Sequence, residues 1–185
     1  MPINFPRKVP KLNGDRVWLR EMTEDDVPGW FARASNPASS SLSGDPIPDS
    51  IDTCFQWLAL HRERFNNQEG IRWAIATIHQ TESVGSIGLT IISKKDKVAE
   101  IGAVIAQSHW SKGIGTAAVK LVVHYAFNIL GLSEIQADLL QTNLASKQIL
   151  EKLGFQFQRD IPDYMQTSTG FDKGYLYVLK NSNNK

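Results

Sequence analysis

The sequence predicts an α/β (α+β) fold in one domain, on three observations. Strand-like segments at residues 73–78, 84–92 and 98–106 follow one another with only short polar turns between them. A long helical pattern over residues 113–130 comes next, straight after a turn carrying Gly113 and Gly115. Beyond it, strand-like and helix-like segments alternate to residue 179. Turns as short as His79-Gln80-Thr81-Glu82 and Lys94-Lys95-Asp96-Lys97 favour antiparallel neighbours, so the sheet should be mostly antiparallel, with helices flanking it.

The elements follow in order. Residues 1–12 read as an N-terminal arm without a strong structural signal. Arg16-Val17-Trp18-Leu19-Arg20 alternates polar and apolar, as a half-buried strand does. Thr23-Glu24-Asp25-Asp26 then offers an N-cap and acids in the first turn of a helix. Residues 36–48, rich in Ser, Pro, Gly and Asp, read as a loop long enough to be functional. A second helix spans 52–65, with Phe55, Leu58 and Arg62 at helical spacing. After the three central strands, Ala117, Leu121, Val122, Tyr125 and Ile129 give the helix over 113–130 its apolar face, and Gly131 ends it. A strand at 135–140, a helix at 144–153 stopped by Gly154, and strands at 155–159 and 175–179 complete a set of about seven strands and about four helices.

Composition narrows the function classes. The 185 residues are 42% hydrophobic and 21% charged, which suits a folded domain with a substantial core. A formal net charge of +1, with basic residues interleaved among acids, gives no electrostatic case for nucleic acid or an anionic membrane. Cys54 is the only cysteine, so no internal disulfide forms; among Phe55, Trp57 and Leu58 it reads as a packed hydrophobe. No apolar run approaches a membrane span and the first residues lack a signal-peptide core, so the expectation is a cytoplasmic protein. His61, His79 and His124 show no metal-ligand spacing with Cys54, and no metal site is expected.

The chemistry concentrates in residues 99–116. A strand ending at Ala106, the turn Gln107-Ser108-His109-Trp110, and Ser111-Lys112-Gly113-Ile114-Gly115-Thr116 opening a helix make a site for a phosphate or pyrophosphate. The first N–H groups of the helix are unpaired and its dipole adds positive charge there. Gly113 and Gly115 remove side chains that would hold an anion off the backbone, and Lys112 adds a full charge. No Gly-X-X-X-X-Gly-Lys-Ser/Thr run is present to favour a nucleotide. A second constellation, Asn143-Leu144-Ala145-Ser146 followed by Lys152-Leu153-Gly154-Phe155, reads on its own as a well-capped helix.

Together and in this order, the two constellations resemble the GNAT superfamily of N-acetyltransferases. Trp110-Ser111-Lys112-Gly113-Ile114-Gly115 looks like its pyrophosphate motif, Gln/Arg-X-X-Gly-X-Gly/Ala, and Asn143 to Phe155 resembles its second motif. The opening at Arg16 to Asp26 resembles the branch of ribosomal-protein N-terminal (RimJ/RimL-like) acetyltransferases. The resemblance implies a mixed, mostly antiparallel, twisted sheet that splays where acetyl-CoA binds, and a single acetyltransferase domain over residues 13–181. It implies acetyl-CoA as cosubstrate, an amine acceptor (a protein N-terminus or a small amine), and a homodimer as a frequent state. It places pantetheine on the backbone around Val104 and Ile105 and the pyrophosphate on residues 110–116, with Thr116 closing that run. Trp110 departs from the motif's Gln or Arg. Leu150 stands where several relatives carry a Tyr that protonates the departing thiolate.

Amine acetylation needs a neutral amine. A lysine amine, near pKa 10.4, is neutral for less than about a thousandth of the time at pH 7, and an α-amine, near about 8, for roughly a tenth. Glu100, on the strand entering the phosphate turn where similar enzymes place a glutamate, is the expected base, with an exposed strand charge or a water relay as alternatives. Ser146 is the expected hydroxyl donor to the thiolate, against a helix serine bonding back to a carbonyl. Asn143 would anchor pantetheine or a water. No Cys or base-paired Ser lies in the motifs, so direct attack in a ternary complex is expected. A non-catalytic acyl-CoA-binding module is the alternative that Trp110 and Leu150 suggest. His109 reads as a surface turn residue, Trp57, Trp73 and Trp110 as packing, and Asp163 and Tyr164 as a border of the acceptor pocket, whose specificity should come from residues 36–52, the helix after them, and loop residues at 160–173.

Overall fold

The computed structural model describes residues 2–37, 42, 46–167 and 170–182. Among them the alternating segments form one sheet of eight strands: β1 (Leu12–Asn13), β2 (Val17–Glu21), β3 (Gly70–Thr77), β4 (Gly85–Ser93), β5 (Val98–Ile105), β6 (Glu134–Leu140), β7 (Gln156–Thr167) and β8 (Gly170–Lys180). Their spatial order is β1-β2-β3-β4-β5-β6-β8-β7, antiparallel except where β6 runs parallel to β5. The antiparallel run β3 to β5 follows from the short polar turns, β2 reaches its antiparallel place beside β3 through the long helical connection between them, and the parallel step follows from the helical crossover between β5 and β6.

Four α-helices flank the sheet among the described residues: α1 (Val27–Ala34), α2 (Ile51–Asn66), α3 (Ile114–Asn128) and α4 (Leu144–Lys152). Thr23 opens a single 3-10 turn, Glu24–Asp26, that runs into α1. The Asp26 carboxylate fixes this corner, accepting from the Thr23 N–H at 2.9 Å and from both terminal nitrogens of Arg20 at 2.7 Å. Gly131 leaves α3 at φ +73° and Gly154 leaves α4 at φ +90°, the left-handed exits that glycine permits.

The period-2 pattern of the strands builds two cores. Ile71, Trp73 and Ile75 face one way, into the cluster completed by Val119 and Val122 of α3 and Leu150 of α4. Ala74 faces the other way, with Met22, Val27, Trp30, Cys54 and Leu58 beneath α1 and α2. Cys54 is fully buried there, and burial raises its thiol pKa.

The structure departs from sequence expectation in three places. The arm, which carries no strong signal in sequence, is docked: the Asn4 N–H donates to the Leu130 carbonyl, the Trp73 indole to the Pro10 carbonyl at 2.8 Å, and Phe5 packs on Phe65. The predicted loop at 160–173 is mostly strand, because β7 and β8 run on as a long hairpin. Pro162 is accommodated because β7 is the sheet edge, where a missing N–H costs no ladder bond, and register shifts between Phe157/Arg159 and Ile161/Met165 absorb the irregularity. The third is β1, two residues long and too short to leave a pattern. The loop expected over 36–48 falls largely outside the described residues, which omit 38–41 and 43–45.

Candidate active site

β5 and β6 pair only through Val98–Glu134, Ala99–Ile135 and Glu100–Gln136. Past Glu100 no strand lies across that edge of β5, and Gly102 and Ala103 are open although they sit mid-sheet. The parting strands make a cleft of about 1070 Å3, lined along one side by β5 and the turn after it and along the other by Ala137, Asp138 and Leu139 of β6 and the start of α4.

The glycine turn forms one end. Ser111 at φ +59° and Gly113 at φ +75° hold the backbone in the left-handed region just ahead of α3, the kind of turn that gathers N–H groups into an anion-binding concavity. A Cβ at Gly113 would meet only Arg16 Nη1 at 3.9 Å, so the turn is open on its outer side. A Cβ at Gly115 would sit 3.0 Å from Ile149 Cδ1 and 3.3 Å from Ile105 Cδ1, so the missing side chain lets α3, α4 and the end of β5 close together. Trp110 is tied back rather than aimed at an anion: its indole N–H donates to the Ile105 carbonyl at 2.8 Å, bracing the turn against β5. The Lys112 ammonium donates to the Ser108 carbonyl at 2.8 Å, and Lys112 does not line the cleft. His109 does line it and shares a 2.9 Å hydrogen bond with Ser108; its pKa is lowered by burial and by Lys112.

Asn143 and Ser146 stand at the mouth of α4. The Asn143 side-chain oxygen caps the helix by accepting from the Ser146 N–H at 3.1 Å, and its amide nitrogen donates to the Leu42 carbonyl. The Ser146 hydroxyl makes no hydrogen bond among the described residues, so it is not spent on a helix carbonyl. Leu150 is buried beside it and lines the cleft with an apolar surface.

Strand register fixes the face that carries the second end. Arg72 pairs with Gly88, Gly88 with Gly102, Thr90 with Glu100 and Glu100 with Gln136. Paired residues share a face, so Arg72, Thr90, Glu100 and, two residues past Gln136, Asp138 all lie on the α1–α2 side. Glu100 is open to the cleft, yet burial by the surrounding walls raises its carboxyl pKa, and the charge of Asp138 raises it further. Over this floor, α1 and α2 contribute Trp30, Arg33, Trp57, His61 and Arg64 to the cleft wall. His61 stacks on Trp30 with centroids 5.8 Å apart; burial, aided by Arg72 and Arg64, brings it down to about 3, so it is neutral at physiological pH.

Glu100, Val104, Ile105, Trp110, Ser111, Gly113, Ile114, Gly115, Thr116, Asn143 and Ser146 thus line one cleft together with Tyr164, and of the expected residues Lys112 and Asp163 stand outside it. Sequence reading missed Asp138, Arg33 and Arg72. Asp138 lies far along the chain from Glu100 and meets it only through the parallel register, while each arginine reads in sequence as an ordinary solvated charge. Among the described residues no group of three His, Cys, Asp or Glu side chains is arranged to hold a metal.

A split sheet with a glycine-lined anion turn at one end of the split and a carboxylate of raised pKa at the other defines an acyl-CoA-dependent acyltransferase. Residues 16–156 match the Acetyltransferase (GNAT) domain. Over 172 residues the chain is 33% identical to the uncharacterized N-acetyltransferase YoaA of Bacillus subtilis, covering 92% of this chain and 97% of that one. The chain belongs to the GNAT family and is an acetyl-CoA-dependent N-acetyltransferase. Its fold is that of two solved structures, each at a TM-score of 0.81. One is spermidine N-acetyltransferase from Vibrio cholerae in complex with CoA and spermine, 18% identical, covering 91% of this chain and 98% of that one. The other is Mycobacterium smegmatis RimJ in complex with CoA-disulfide, 19% identical, covering 100% and 92%.

Proposed function

We propose that this acetyltransferase works by direct attack in a ternary complex, with Glu100 as base and Ser146 as donor to the departing sulfur. The observation that carries the reading is the position of Glu100, at the last rung before β5 and β6 part, beside Asp138 and facing the acceptor side of the cleft. Glu100 takes a proton from the acceptor ammonium, directly or through one water, and frees the nitrogen lone pair. As the new C–N bond forms and the C–S bond breaks, backbone around Val104 and Ile105 holds the acyl arm, and an N–H there meets the charge growing on the carbonyl oxygen. The unspent hydroxyl of Ser146 donates to the thiolate. With pKa near 8.5, that sulfur needs only partial support at neutral pH, which is compatible with Leu150 in place of a phenol. Residues 110–116 hold the pyrophosphate mainly through backbone donors, since Trp110 and Lys112 are engaged within the turn.

Acceptors in this reading are primary amines of the α-amine kind, on a polypeptide N-terminus or a small molecule, which present far more neutral base at pH 7 than lysine does. Polycationic amines are disfavoured by Arg33, Arg64 and Arg72 along the acceptor wall. A cytoplasmic setting is compatible with the helices, none of which, among the described residues, is long and apolar enough to cross a membrane. A homodimer rests on resemblance and is read by sedimentation. Thiol release measured against an amine panel tests the reading: Glu100→Gln should lower kcat by about tenfold to hundredfold near neutral pH with acetyl-CoA affinity kept, and Ser146→Ala should lower kcat by a smaller factor. Full activity in Glu100→Gln would remove the glutamate from the mechanism.

A further inference from the structure

Arg33 is the least explained charge in the molecule. It is only 8% exposed, yet it lines the cleft. Its Nη1 donates to the Ser83 carbonyl at 3.1 Å, while its Nη2 is buried with no partner among the described residues. Asp26, the carboxylate whose charge acts on Arg33, is held by both terminal nitrogens of Arg20. No ion pair is formed by Arg33 or Arg64 among the described residues. A buried guanidinium nitrogen without an acceptor carries a large desolvation cost, and such groups ordinarily find an anion.

The surroundings say where that anion comes from. Arg72 lies on the cleft floor, its Nη2 donating to Ser86 Oγ at 2.9 Å, and it lowers the pKa of Arg33, which burial brings down to about 10. The positive charge of Arg72 thus bears on Arg33, and His61 beside them is neutral. Gly88 and Gly102 face each other across β4 and β5 between Arg72 and Glu100; the Arg72 side chain lies over Gly88, where a Cβ would sit 3.4 Å from its Cδ, and the floor is open at Gly102, where a Cβ would meet nothing within 4 Å. β3 and β5 are two strand spacings apart, roughly 10 Å, a gap that side chains reaching in from both sides reduce to the length of a small amino-carboxylate.

We propose that the acceptor carries a carboxylate that docks on Arg33 and Arg72, across the opening at Gly102 from Glu100, which receives the amine. The proposal rests on the acetyltransfer reading and gives it a substrate class: an amine with an anionic group a few atoms away. The carboxylate belongs either to a free amino acid or to an acidic side chain close behind a polypeptide N-terminus.

Two matched series test it on the full chain with acetyl-CoA. The first compares free amino acids with their carboxamides, per unprotonated amine, because amidation itself lowers the amine pKa. The second compares peptide amides carrying Asp or Glu at the second position with those carrying Asn or Gln. The expected result is a preference of tenfold or more in kcat/KM for the carboxylate in one series, and the series that shows it identifies the source. Arg72→Gln should bring that preference toward one, and Arg72→Lys should restore part of it. Arg33→Gln should do the same if it folds; Arg72 keeps the test decisive if it does not. Equal rates for acids and amides, better turnover of polyamines, or an undiminished preference in Arg72→Gln overturns the proposal alone. No thiol release with any amine overturns the acetyltransfer reading and this proposal with it.

Discussion

Glu100 owes its proton affinity to two neighbours of different kinds, and the difference is measurable. Burial contributes more than the charge of Asp138, and both push its pKa up. A base works in its ionised form, so the acid limb of kcat should lie above the ordinary carboxylate value of about 4.3. Asp138→Asn removes only the like-charge contribution: the limb should move to lower pH, part of the way, while Glu100→Gln abolishes it. A limb that stays in place in Asp138→Asn would assign the titration to another group. The residues differ in how far sequence could reveal them. The place of Glu100 in the cleft was legible through resemblance, from its strand leading into the glycine turn. Asp138 was not, since its proximity is made by the parallel pairing of β5 with β6. Trp110 was legible as a departure from the motif but not as a brace, which needed its hydrogen bond to the Ile105 carbonyl.

At the scale of the element, the turn before α3 does two jobs with two glycines, and substitution separates them. Gly113 is needed for conformation: at φ +75° an added Cβ meets open space but the backbone is unfavourable by about 1 kcal/mol. Gly113→Ala should therefore lower Tm by about 2–4 °C and raise the KM for acetyl-CoA, and Gly113→Asn should do less of both, since asparagine tolerates this region better. Differential scanning and initial rates check the pair; equal losses in the two variants would point to sterics instead. Gly115 is needed for space, against the two isoleucine tips. Glycine spacing and helical period were both readable in the sequence, so this element was placed within a residue or two. The β7–β8 hairpin was not, because its polar outer positions and Pro162 carry the signature of a loop, and only its place at the sheet edge makes a long, bulged strand tolerable.

The whole molecule is a sheet in two unequal parts, β1 to β5 and β6 to β8, joined along their shared edge by three residue pairs. The α3 crossover and the core around Val122, Ile135 and Tyr177 supply the rest of the connection. A ligand seated in the split replaces the missing ladder with contacts to both parts, so binding should stabilise the molecule as a unit and the split most of all. At a hundred times Kd, a ligand that binds only the folded state adds about 2.7 kcal/mol, which for a chain of this size raises Tm by about 5–10 °C. Acetyl-CoA should produce that shift, and 3′-dephospho-CoA a similar one, if the grip is on the pyrophosphate. ATP, which lacks the pantetheine arm that crosses the split, should produce little. Hydrogen exchange should slow within residues 101–105 and 137–140, whose facing edges lack each other as partners, more than in β3, which is already paired with β2 and β4. Stabilisation by ATP equal to that by acetyl-CoA, or protection spread evenly over the sheet, would mean that the ligand does not bridge the two parts.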